Sequence, residues 1–159
     1  MKGNALDEAD RSAVEQQLGR RLRGQVRVAH RCGCGLPAVI ETHPVVDGEP
    51  FPTLYWLTCQ RASQAIGRLE ASGVMQELTA RIRSDEEFGR AFAAADADYR
   101  RRRDTLHPLE GAGGVGGGPS DRVKCLHAHY AHHLVCGCNP VGVWVAEQIG
   151  DVHRPPPCV

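Results

Sequence analysis

Seven cysteines and eight histidines stand in this chain of 159 residues, and several sit where they could share a metal ion or activate a thiol. Cys32 and Cys34 flank Gly33 in the run Arg31-Cys32-Gly33-Cys34-Gly35-Leu36-Pro37. A glycine between two sulfurs lets the backbone curl around an ion at low steric cost. Cys59 closes an apolar stretch and opens a helical pattern, and Cys125 has Arg122 and Lys124 close by. A helix N-terminus and neighbouring cations both favour the thiolate, the form that ligates metals.

Farther along, Cys125, His129, His132 and Cys136 recur at spacings of four, three and four. At about 100° per residue they fall on one stripe of a helix, with His127 pointing away from it. Cys136, Cys138 and Cys158 read equally well as small apolar side chains. His43, His107 and His153 stand in loops or beside proline and are expected to be solvated.

These side chains need elements to hold them. Asp7 to Arg23 carries Ala13, Val14, Leu18 and Leu22 at helical spacing, with Gly24 as a stop. Residues 25–30, 38–42 and 53–58 read as short strands, and the segment 43–52 between them as a loop turning at Asp47-Gly48. After Cys59 come one helix ending near Gly73, a second through Met75 and Ile82, and a long third through Phe88, Phe92 and Tyr99. Ser84 with Glu87 matches a capping box for that third helix. Residues 110–119 are glycine-dominated and are expected to form an internal linker. They lack the Gly-Lys-Ser/Thr ending of a phosphate-binding loop. Asp121 is the expected cap of a helix from Arg122 to Leu134, and Val141 to Ile149 the last helix. The tail from Arg154 to Pro157 reads as extended.

Composition narrows the function classes. The formal net charge is zero and aromatics make up 5% of residues, so neither a basic field nor a stacking platform points to nucleic acid. No run approaches the roughly 20 apolar residues of a membrane helix. The first residues are polar and charged rather than a signal core, so a cytoplasmic setting is expected. There, seven cysteines favour thiols, metal ligands or redox chemistry over a disulfide framework.

Three strings carry a family resemblance: His30 to Pro37, Pro50 to Tyr55 with Leu57-Thr58-Cys59, and Asp121-Arg122-Val123-Lys124-Cys125-Leu126-His127, extended by Ala131-His132 and Asn139 to Gly142. Over roughly Leu18 to Ile149 the chain resembles the uncharacterised actinobacterial family called domain of unknown function 501. The resemblance brings no activity with it. It implies Cys32, Cys34, Cys59 and Cys125 as the essential cysteines, with His30, His127 and His132 beside them. Gln60 departs from that pattern, where the family commonly has proline, and His129, Cys136, Cys138 and Cys158 are particular to this sequence.

Together these readings predict an α+β fold, a small three-stranded antiparallel sheet packed against five or six helices. One domain spans 1–159, with 1–6 and 151–159 as flexible ends. Cys32, Cys34, Cys59 and Cys125 are the expected metal ligands, and His127 and His132 ligands or supports. Zinc ranks first and an iron-sulfur cluster is the alternative. The expected role is a binding or regulatory module with a protein partner. The rival is an enzyme or redox protein in which Cys59 or Cys125 reacts and Arg61 and Lys124 hold an anionic substrate.

Overall fold

A computed structural model describes residues 5–153 of the chain. The expected extended tail and Cys158 lie outside the described residues, as do residues 1–4. The scaffold is an antiparallel sheet in the order β1 (Val26–Arg31), β2 (Pro37–Thr42), β5 (Tyr55–Leu57). β2 is the central strand, and every one of its residues is buried. Even Glu41 is covered there, and its carboxylate is met in register by Arg27 of β1 at 2.6 Å through two nitrogens. Within the expected loop a second hairpin forms from β3 (Val45–Val46) and β4 (Glu49–Pro50). Its turn is Asp47-Gly48, both at positive φ, the pair that two-residue hairpin turns favour.

Among the described residues six α-helices surround the sheet. α1 (Glu8–Leu18) is capped by the Asp7 carboxylate, which accepts from the Asp10 N–H at 2.7 Å. It ends at Gly19 in the left-handed conformation, five residues before the expected stop at Gly24, because Gly19 closes the helix first. α2 (Gln60–Ala71) starts directly after Cys59 and is followed by α3 (Val74–Ser84) and the long α4 (Glu86–Leu106). The cap of α4 is Asp85, whose carboxylate accepts from the Phe88 N–H at 3.1 Å; Ser84 still belongs to α3. α5 runs Leu126–Cys136 with Cys125 at its N-cap, four residues later than Asp121 predicts. α6 (Pro140–Ile149) is capped by Asn139.

The main core lies between one face of the sheet and α2 to α6, centred on Leu54, Tyr55, Ile66, Tyr99, Leu126 and Val141. A smaller cluster of Val14, Val26 and Ile40 fills the space between the sheet and α1. The glycine-rich segment expected as a linker runs against α4. Val115 is buried in the core, the Arg103 side chain donates to the Gly113 carbonyl at 2.5 Å, and Arg100 donates to the Ala112 carbonyl. Glycine is required at 114, where a Cβ would fall 1.5 Å from an Asp96 carboxylate oxygen. Among the described residues no helix is long and apolar enough to cross a membrane.

Candidate metal centre

The fold gathers Cys32, Cys59 and His153 from three distant parts of the chain, so that the two sulfurs and a ring nitrogen all lie within 4.8 Å of one another. Cys32 opens the turn between β1 and β2, held by its N–H to the Leu36 carbonyl at 2.8 Å. Cys59 is fully buried between the end of β5 and the first turn of α2. His153 follows α6, and its carbonyl accepts from the Gly33 N–H at 3.1 Å, pinning this segment to the β1–β2 turn.

His153 is presented in a form that can ligate. Its Nε2 lies 2.7 Å from the Tyr130 hydroxyl, and the two rings stack at 5.8 Å. Its Nδ1 is buried with no hydrogen-bond partner. Burial, with His30 nearby, holds its pKa below the usual value, so the ring is neutral at pH 7. In the tautomer that carries its proton on Nε2 and gives it to the phenol oxygen, Nδ1 keeps an unused lone pair, and a second nitrogen held in this way is the usual anchor of a metal-ligating imidazole. The Tyr130 phenol is itself pushed up by burial and by the Cys59 and Cys32 sulfurs, and stays protonated.

Two other clusters spend their imidazoles differently. Glu70, Cys125 and His127 form a group of the same tightness. Glu70 sits in the last turn of α2 and accepts from the Leu126 N–H at 2.8 Å, completing the start of α5. His127 places Nδ1 3.1 Å from Glu70 and Nε2 3.1 Å from the Ser63 carbonyl. Both partners only accept, so both nitrogens donate. The His127 pKa is accordingly raised to about 9 by the Cys125 sulfur, the Glu70 charge and the Ser63 carbonyl, against desolvation. An imidazolium has no lone pair for a metal.

The third cluster joins Asp98, His132, Cys136 and Cys138, and among the described residues Cys136 and Cys138 form the disulfide. Asn139 settles the tautomer of His132. Its Oδ1 accepts from the Gly142 N–H at 3.1 Å, so its Nδ2 donates to Nδ1 of both His129 and His132. His132 therefore carries its proton on Nε2 and donates it to Asp98 at 2.9 Å. Its ring is fully buried, stacked on Tyr55 and edge-on to Tyr99.

The four cysteines predicted as one ligand set are thus distributed. Cys32 and Cys59 come together, Cys125 pairs with His127, and Cys34 is half-buried at the margin of the core outside these groups. The reason is the length of α2. Cys59 and Glu70 mark its two ends, about 16 Å apart at 1.5 Å per residue, and Cys125 belongs to the far end. Arg61 is half-buried on the first turn of α2, and Lys124 is exposed just before α5. His153, read from the sequence as solvated, is half-buried against Tyr130, and no spacing rule signals it.

The sequence model of the family described as Protein of unknown function (DUF501) matches residues 28–147. The chain belongs to this family. No curated protein and no solved structure matches the DUF501 chain. Cys32, Cys59, Cys125, His127 and His132 lie inside the matched region, whereas His153 lies beyond it.

Proposed function

We propose that this protein binds zinc through Cys32, Cys59 and His153 and serves as a binding or regulatory module of the cytoplasm. The supporting observation is the buried, unpartnered Nδ1 of a neutral imidazole in the same cluster as two thiols. A donor set of two sulfurs and one nitrogen suits zinc, while an iron-sulfur cluster ordinarily asks for four thiolates. A metal there would tie the β1–β2 turn, the start of α2 and the segment after α6 together. Three protein ligands leave a fourth position for water or for a donor from a partner, with His30 near enough to His153 to act on its charge.

Metal analysis of protein purified without chelator tests the reading. It predicts close to one equivalent of zinc per chain, lost in Cys59→Ser and His153→Ala, and no visible absorption. Less than about half an equivalent of metal would overturn it. Cys125 supports a second reading, a reactive cysteine, because a thiol against a charged imidazole is the arrangement of activated cysteines.

A further inference from the structure

The far side of the sheet, away from the metal centre, carries a cavity of about 260 Å³. Leu18, Val26, Ile40, Val46, Phe51 and Trp56 form its apolar wall, where the small core beneath α1 opens to the surface. Its mouth is ringed by Arg20, Arg21 and Arg23 from the segment that α1 would have occupied had Gly19 not ended it. Arg23 is committed to Asp47. Arg20 lies over the Trp56 ring, 5.1 Å from its centre, and among the described residues neither Arg20 nor Arg21 forms an ion pair. Glu49 also reaches the mouth, so two unpaired cations face one carboxylate.

A second observation marks the same place. The Trp56 indole N–H is buried and has no hydrogen-bond partner. A buried donor left unsatisfied is uncommon in a folded protein and calls for an acceptor. An apolar pocket with a few polar groups at one end is the usual form of a small-molecule site, and this volume lies just below the range, from about 300 Å³ upward, of sites for drug-sized ligands. The arginines are planar, permanently charged and suited to carboxylates.

We propose that this cavity binds a small amphiphilic carboxylate, its apolar body against Ile40, Val46 and Phe51 and its head between Arg20 and Arg21, where it also accepts from the Trp56 indole N–H beneath Arg20. The site is independent of the metal reading. Decanoate is the probe, followed through the indole N–H resonance of Trp56 in 15N-labelled protein, with Trp144→Phe assigning the signal. The expected result is a saturable shift below 1 mM, weakened at least about tenfold in the Arg20→Gln/Arg21→Gln double variant and by replacing decanoate with decanol. Val46→Phe, which fills the cavity from the exposed hairpin, should abolish the shift with the circular dichroism spectrum unchanged. No saturable shift, equal binding of decanol, an unaffected double variant, or capture by phosphatidylglycerol vesicles without any response to decanoate would each overturn the proposal.

Discussion

Protonation separates the three cysteine and histidine clusters more sharply than distance does. Each brings its donor atoms within 4.8 Å, yet only His153 among their imidazoles keeps a nitrogen without a protein partner. His127 is charged at neutral pH and His132 is locked by Asn139 and Asp98. The consequence for Cys125 is chemical rather than metal-binding. Iodoacetamide labelling at pH 7, mapped by mass spectrometry, should modify Cys125 faster than Cys59, which is fully buried. His127→Gln should slow labelling of Cys125 by roughly tenfold, since the imidazolium beside its sulfur is removed. Equal rates in the two proteins would contradict the activated-thiol reading.

At the scale of elements, Asn139 joins two helices. It caps α6 through the Gly142 N–H and donates to two buried imidazoles of α5. Asn139→Ala removes a cap, worth about 1 kcal/mol, and strands two buried acceptors. A loss of about 3 kcal/mol is expected in urea unfolding, and a loss below about 1 kcal/mol would show that the network is dispensable. The three strands of the main sheet, and most helices to within a few residues, are legible in the sequence because apolar periodicity and glycine stops are local signals, whereas the β3–β4 hairpin lies in a segment that reads as a loop. The starts of α4 and α5 are less so: Asp85 and Ser84 compete at adjacent positions, and Cys125 is an N-cap with no side-chain hydrogen bond to announce it. The candidate centre was legible only in half. Cys32 and Cys59 lie in recognisable turns, but His153, Tyr130 and Glu70 gain their roles from contacts across 23 to 121 residues of chain.

For the molecule as a whole, buried imidazoles set the acid limit of stability. His129 is buried against Phe92 and its pKa is lowered to about 4, chiefly by desolvation. Its contribution is complete above the unfolded value near 6.5 and is lost as pH falls toward 4. His30, His132, His133 and His153 are lowered as well and act in the same direction. His127 acts in the opposite direction, its contribution being present below 6.5 and lost as pH rises through about 9. In chelator, the urea midpoint should therefore be highest near pH 6.5 and fall at pH 4.5, and a midpoint that rises on acidification would refute this account. The proposed zinc would govern the rest, because Cys32, Cys59 and His153 bring the sheet, α2 and the segment after α6 to one point. X-ray absorption at the zinc edge tests it most directly: the account predicts two sulfur and one or two nitrogen or oxygen neighbours, and a shell of four sulfurs, or of none, would contradict it.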